Sequence, residues 1–335
     1  MNLDDRINAF VKLGEYFNTN TFSDELFIQV ENNNPWFVKD NINFSLKQIS
    51  SILTKDNLYN WLSKYPKLKK EKQAKTIAVV TAGNIPLVGF HDFLSVLITG
   101  NNILIKLSSK DNLLLKEVAK LLIKIEPKFK NSINFTENIM KGFDAIITTG
   151  SDNSAKHFQY YFDKYPHIIR KNRNSIAIIT GEETKQELEN LADDVFMYFG
   201  LGCRNVSKIF IPENYDLKNL FEAFTKYEDI IQHNKYANNY DYNRSIYLMN
   251  NIKFFEDRHI ILKEDINYSS PISVVYYERY KDIEFILSKL KADTDKIQVI
   301  IANISEKFIK FGKAQKPDLN DYADNIDTIK FLSGL

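Results

Sequence analysis

The sequence holds one cysteine, Cys203, in 335 residues. That excludes an intramolecular disulfide framework and any all-cysteine zinc site, and it suits a reducing cytoplasm. Neither charge is in surplus: 44 Lys and Arg stand against 43 Asp and Glu, a formal charge of +1. A dedicated nucleic-acid binder would usually carry a basic excess, so no nucleic-acid partner is expected. No uncharged apolar run reaches the roughly 18 residues of a membrane span. The opening MNLDDRINAFVKL is mixed and charged, without the apolar core of a secretory signal. There is no GxGxxG dinucleotide fingerprint. His157, His167, His233 and His259 are scattered without metal-ligand spacing, and no metal is expected.

What is present is a rhythm of strands and helices. Residues 1–75 read as a helical leader, with apolar residues at helical spacing over 4–14 and 45–62 and a solvated basic stretch KLKKEKQAK. Then KTIAVVTAG, NNILIKLSS, FDAIITTGS and SIAIIT read as strands, separated by helices over NIPLVGFHDFLSVLITG, 110–125 and 152–164. After Gly181 the expected order is a helix over 182–201, the strand SKIFIP, and a helix over 216–232. Three strands follow (YNRSIYLM, RHIILKE and PISVVYYE), then a helix over 281–291, the strand KIQVIIA and a tail over 317–335 that is irregular and acidic until DTIKFL. Alternation at this spacing implies βαβ units and mostly parallel sheets covered by helices. The expected divisions are 1–75, 76–181, 182–310 and 311–335.

In open α/β sheets ligands bind beyond the carboxyl ends of strands. Three such ends are suggestive: Ala82, Gly83 and Asn84 after the first strand, Lys106, Ser108 and Ser109 closing the second, and Thr149, Gly150 and Ser151 closing the third. Lys106 could meet phosphate or ribose oxygens as a point charge. Thr149, Gly150 and Ser151 could present N–H groups at a helix start. Simple capping and a solvated lysine remain the plainer alternatives. Cys203 sits in FGLGCRNVSK, in a glycine-permitted turn with Arg204 beside it. A neighbouring cation favours a thiolate, whereas a lone cysteine is commonly a buried, inert hydrophobe.

Taken in order, four segments resemble the aldehyde dehydrogenase superfamily, and within it the acyl-CoA (acyl-thioester) reductase branch that includes the fatty-acid reductase of bioluminescence. They are VVTAGNIPLVGFHDFLSVLITGNNILIKLSS, IITTGS, FGLGCRNVSKIFIP and SSPISVVYY. The resemblance covers roughly residues 75–335. It implies a two-domain α/β fold with a cysteine nucleophile, Cys203, and an oxyanion donor, Asn84. It implies a cofactor lying along Ala82, Gly83, Lys106, Ser108, Ser109, Thr149, Gly150 and Ser151. It also implies fatty-acyl chemistry, with acyl-CoA or an acyl-carrier protein as partner. A homo-oligomer or a complex with an acyl-activating enzyme is compatible with it, although the superfamily's oligomerisation hairpin is not visible.

Departures from the superfamily pattern narrow the chemistry. Oxidising members carry a general-base glutamate ahead of the fourth strand, where this chain has RKNRN at 170–174 and no carboxylate. Without a base to activate water, a cysteinyl thioester is spared for hydride rather than hydrolysed. Ser109 stands where those members hold the ribose hydroxyls with glutamate, and Lys106 and Lys110 flank it, so NADPH is the expected cofactor. His91, Arg170, Arg173 and Arg204 are further candidates for acyl or coenzyme A contacts. For His91 a satisfied helix histidine is the alternative, and for the two arginines of RKNRN a plain surface. The rival functions are an acyl-phosphate reductase of the glutamyl-phosphate type and a non-catalytic descendant that binds acyl groups or a partner.

Overall fold

A computed structural model describes residues 1–69 and 73–335. Of the basic stretch KLKKEKQAK, Lys70, Glu71 and Lys72 lie outside the described residues. The chain divides into two compact units, Met1–Asn172 with Asp318–Leu335, and Arg173–Pro317. Both are α/β with mostly parallel sheets, and the first opens with helices.

The first unit begins with α1 (Leu3–Thr19), α2 (Asp24–Asn33), α3 (Lys39–Ile52) and α4 (Lys55–Ser63). Asn2 and Asp5 form a capping box on α1, and the Ser23 and Thr54 hydroxyls cap α2 and α4. Thr54 is why the expected single helix over 45–62 is two. α1 buries Ile7, Phe10, Leu13 and Phe17, a stripe at helical spacing. The sheet that follows is built from β1 (Thr76–Val80), β2 (Asn102–Lys106), β3 (Ile133–Phe135), β4 (Ala145–Thr149) and β5 (His167–Arg170). Helices α5 (Phe90–Ile98), α6 (Leu114–Ile125) and α7 (Asp152–Phe162) cross between strands. Strand order is β3-β2-β1-β4-β5, all parallel. The order reverses at β1, so the crevice for a ligand lies beyond the ends of β1 and its neighbours β2 and β4.

The leader and the tail are not separate segments. Ile7, Phe10, Trp61, Ile77, Phe93 and Ile103 belong to one continuous core that also takes in Leu319, Tyr322, Ile329 and Leu332. The tail is irregular until a short helix over Thr328–Ser333, which coincides with DTIKFL.

The second unit contains β6 (Asn174–Ile178), α8 (Lys185–Phe196), β7 (Val206–Pro212), α9 (Lys218–Phe224) and α10 (Asn234–Met249), then β8 (Phe255–Asp257), β9 (Ile260–Glu264), β10 (Val274–Tyr280), α11 (Ile283–Ala292) and β11 (Ile297–Ile301). Sheet order is β11-β6-β7-β10-β9-β8, parallel except for the β8–β9 pair. Two expectations are corrected here. SIAIIT is not the last strand of the first half: as β6 it pairs with β7 and β11, so the units divide at 172/173 rather than at 181. YNRSIYLM is the second half of α10, not a strand. Its period shows only when the preceding turn is included, since Tyr236, Tyr240, Asn243 and Tyr247 are buried at spacings of one helical turn.

Candidate functional site

In the first unit the three suggestive strand ends lie on neighbouring strands. Gly83 abuts Ser108 so closely that a Cβ at 83 would stand 2.6 Å from the Ser108 hydroxyl oxygen. Only glycine lets these two loops touch. Beyond them the Asn84 turn is held from below. Leu87 takes a left-handed backbone (φ 58°), and its N–H donates to buried Asp111 at 3.0 Å. The Ser45 hydroxyl donates to the Pro86 carbonyl at 3.3 Å. Burial pushes the Asp111 carboxyl up to about 6, against the pull of the Leu87 and Leu114 N–H groups it accepts. The loop after β2 is tied to α2, as Asn33 and Asn34 donate to the carbonyls of Ser109 and Lys110 at 3.1 and 3.2 Å.

Beside this loop a cleft of about 630 Å³ opens at the carboxyl ends of β2 and β3. Lys106, Ser109, Asn112, Lys116, Glu137 and Asn138 line it. The Lys106 amine donates to the Asn138 carbonyl at 3.4 Å, and Lys116 faces Glu137 at 4.0 Å. Asn112, Lys116 and Glu137 are not legible as site residues in the sequence: Glu137 follows β3, whose three residues leave no readable period, and Asn112 and Lys116 are ordinary polar residues around the start of α6. Thr149 and Gly150 are half-buried at the end of β4. Ser151 is the N-cap of α7, its hydroxyl accepting the Ser154 N–H at 3.3 Å. Of the candidate cofactor residues, Lys106 and Ser109 line the cleft, whereas Ala82, Gly83, Ser108, Thr149, Gly150 and Ser151 do not, and the α7 start follows β4 on the far side of β1.

In the second unit Cys203 is exposed, outside any disulfide, in the turn between α8 and β7. The turn is entered through three successive left-handed residues, Tyr198, Phe199 and Gly200, at φ 55°, 58° and 75°. Two of these are not glycine, so the conformation is held by its surroundings. Asn205 is the holder. Its side-chain oxygen accepts the Gly202 N–H, and its amide donates to the carbonyls of Asp194, Val195 and Met197 at the end of α8. Ser175, at the start of β6, donates to the Cys203 carbonyl at 2.8 Å. The residue directly after the carboxylate-free stretch is thus bonded to the cysteine turn. Ser270 and Pro271, from the segment SSPISVV, also come to this region, where with Phe199, Gly200 and Tyr236 they close a void of about 30 Å³.

A strap over 312–314 is fastened to the same turn. The Asp194 carboxylate, fully buried, accepts the N–H groups of Gly312 and Ala314 at 2.6 and 2.9 Å. Arg204 donates from Nε to the Ala314 carbonyl. Burial pushes the Asp194 carboxyl up to about 7 despite the two donors.

The other candidate contacts are engaged in structural bonds. Arg170 is 4% exposed and grips Asp92 through two bonds of 2.5 and 2.8 Å, with a third to the Thr328 hydroxyl at 3.1 Å. A coenzyme A phosphate would have to pull it out of a buried pair, so that expectation is withdrawn. His91 is packed between Trp61 and Tyr322, with Nε2 at 3.1 Å from the Leu319 carbonyl. Burial lowers its pKa and favours the neutral ring. It anchors the returning tail, which is the satisfied-histidine alternative. Arg173 donates to the carbonyls of Thr294 and Ile297, bracing the turn into β11. Among the described residues no three His, Cys, Asp or Glu side chains gather as a metal site, and no helix is long and apolar enough to cross a membrane.

Comparison with known proteins places this geometry. The family model described as acyl-CoA reductase (LuxC) matches residues 15–233. No curated protein matches the chain. Among solved structures it is similar to aldehyde dehydrogenase 21 of Physcomitrella patens in complex with the reaction product succinate. Identity there is 12%, coverage is 100% of this chain and 84% of that one, and the TM-score is 0.71. It is also similar to a mutant of the indole-3-acetaldehyde dehydrogenase AldA of P. syringae in complex with NAD+ and IAA (12% identity, 94% and 75% coverage, TM-score 0.68). The NAD+ complex of an aldehyde dehydrogenase from Bacillus cereus is a third (13%, 92% and 73%, 0.65). At these identities the likeness is one of fold.

Proposed function

The chain belongs to the acyl-CoA reductase family, and from that premise we propose that it reduces an acyl thioester, carried on coenzyme A or an acyl-carrier protein, to an aldehyde with NADPH. Cys203 is the nucleophile. Its thiolate attacks the thioester carbonyl, the bond to the donor sulfur breaks, and the acyl group stays on Cys203 as a new thioester while the donor leaves as a thiolate that takes a proton from water. Reduced nicotinamide, when bound, supplies the hydride. The hemithioacetal oxyanion that then stands on Cys203 expels the thiolate and releases the aldehyde. In both steps the oxyanion is met by the Asn84 side-chain amide and the Cys203 backbone N–H.

The cofactor lies along Ala82, Gly83, Lys106, Ser108, Ser109, Thr149, Gly150 and Ser151 in this reading. Lys106 and Ser109 both line the 630 Å³ cleft. With serine rather than a carboxylate at 109, a ribose 2′-phosphate meets no repulsion from that side chain.

One observation carries the choice of reduction over oxidation. Ser175 donates to the Cys203 carbonyl, so the cysteine turn is buttressed directly after RKNRN at 170–174, where no carboxylate exists to activate water.

The test is intact mass spectrometry after incubation with a panel of acyl-CoAs, acyl-carrier thioesters and acyl phosphates, without NADPH. A mass gain equal to the acyl group is expected with thioesters and absent in Cys203→Ala. A gain with acyl phosphates alone would replace the proposed donor class. No adduct with any donor would leave only a non-catalytic, acyl- or partner-binding role.

A further inference from the structure

At the opposite end of the first sheet from the cleft, a second pocket of about 380 Å³ lies among the start of α1, the turn after α4, the α5–β2 turn and the end of the tail helix. Arg6, Lys67, Lys69, Gly100 and Ser333 line it, and no carboxylate is among its described lining residues. The α5–β2 turn enters β2 at its amino end, whereas the cleft sits at its carboxyl end, so a five-residue strand of about 16 Å separates the two.

Arg6 is the unusual member. It is 8% exposed, and its described partners are carbonyl oxygens: Nε donates to Ile98 and Nη1 to Met1. Its guanidinium lies flat on Gly100, where a Cβ would stand 3.1 Å from Nη1 and 3.2 Å from Cζ. Nη2 has no described hydrogen-bond partner. The carboxylates of the first helical turn are occupied elsewhere: Asp4 accepts from the Tyr59 hydroxyl, and Asp5 closes the capping box and lies 4.0 Å from Lys128. Desolvation lowers the Arg6 pKa, with the nearby Asp5 charge raising it in part. The hydrogen bonds of the guanidinium itself go to neutral carbonyls. Two exposed lysines on the same pocket raise the local positive potential further.

We propose that this pocket is a phosphate site, taking inorganic phosphate or the phosphate group of a small monoester. Arg6 offers its outer N–H groups from the floor, and Lys67 and Lys69 close over the oxygens from the rim. A guanidinium fork suits a tetrahedral oxyanion, and the two ammonium groups supply the remaining charge. The proposal is independent of the role given to Cys203.

The test is a thermal-shift titration of the full chain with inorganic phosphate against chloride at constant ionic strength. It is run on the wild type, on Lys67→Ala/Lys69→Ala, and on Lys106→Ala to isolate the cleft. The lysine pair is exposed, so its removal leaves the core intact; Arg6 is avoided because its loss would also unbind the α5 carbonyl. The expected result is a phosphate-specific rise of about 2 °C or more at tenfold saturation in the wild type and in Lys106→Ala. In the double variant the rise should fall to a third or less. A wild type that responds equally to chloride overturns the proposal. So does a rise unchanged in the double variant, or one lost only in Lys106→Ala.

Discussion

The side-chain oxygen of Asn205 accepts the Gly202 N–H at 2.8 Å, and its amide nitrogen closes the end of α8 through the carbonyls of Asp194, Val195 and Met197. One side chain thus joins the end of a helix to the turn that presents Cys203.

Replacing it tests that coupling. Asn205→Ala leaves a buried N–H and several carbonyls short of partners, at a cost of about 2 kcal/mol. Urea denaturation should read that loss. Acyl transfer to Cys203, followed by mass, should slow by more than tenfold at a temperature where the variant is still folded. Unchanged transfer in a destabilised variant would mean that the turn holds its shape without Asn205.

Asp194 makes the strap sensitive to pH. Its carboxyl is pushed up to about 7 in the fold, against about 3.9 in an unfolded chain. Between those values the folded state holds more protons than the unfolded one. The contribution is therefore fully present below about pH 4 and is lost as pH rises through about 7. Asp194→Asn removes this titration, so the fall of stability with rising pH should flatten by up to about 1.4 kcal/mol per pH unit. Denaturation at several pH values across the window checks it, and parallel profiles for the two proteins would show that Asp194 stays ionised throughout.

Ser109 tests cofactor choice. Ser109→Glu places a carboxylate beside the cleft, where it repels a 2′-phosphate and offers acceptors to ribose hydroxyls. The expected outcome is a rise in KM for NADPH of at least about tenfold, worth 1.4 kcal/mol, with kcat much less affected. Strong NADH preference in the wild type would remove the basis for this expectation.

The Arg170–Asp92 pair tests burial. Asp92→Asn alone strands a guanidinium that is 5% exposed and should cost about 3–5 kcal/mol. Arg170→Met with Asp92→Leu removes both charges and should cost less than either single change. Denaturation of the three variants reads this directly, and simple additivity would mean the two side chains act separately.

Much of the fold is legible in the chain because its long elements repeat their pattern. KTIAVV, NNILIK and SKIFIP are apolar runs bounded by polar or turn residues, and α1 and α6 carry clear apolar stripes. β3, β5 and β8 are not legible, since three or four residues hold no period. The end of α10 reads as a strand for the opposite reason: its last eight residues are rich in strand-favouring side chains, and only contact with the sheet over a full helix selects the helical period.

The candidate site divides the same way. Cys203, Asn84 and Lys106 stand out because few residue types can do their chemistry, and the lack of a carboxylate at 170–174 is visible without any structure. Asn205, Asp194 and Asp111 do not stand out, because an asparagine or aspartate in a loop is ordinary until its partners are known. RKNRN shows the limit most directly. By sequence its two arginines are equivalent cations. Tertiary structure buries Arg170 against Asp92, a residue 78 positions away, and turns Arg173 to the carbonyls before β11. Sequence alone determined which reactive groups the chain possesses and which it lacks. Only the packing decided which charges would be spent inside the protein, because desolvation is set by neighbours distant along the chain.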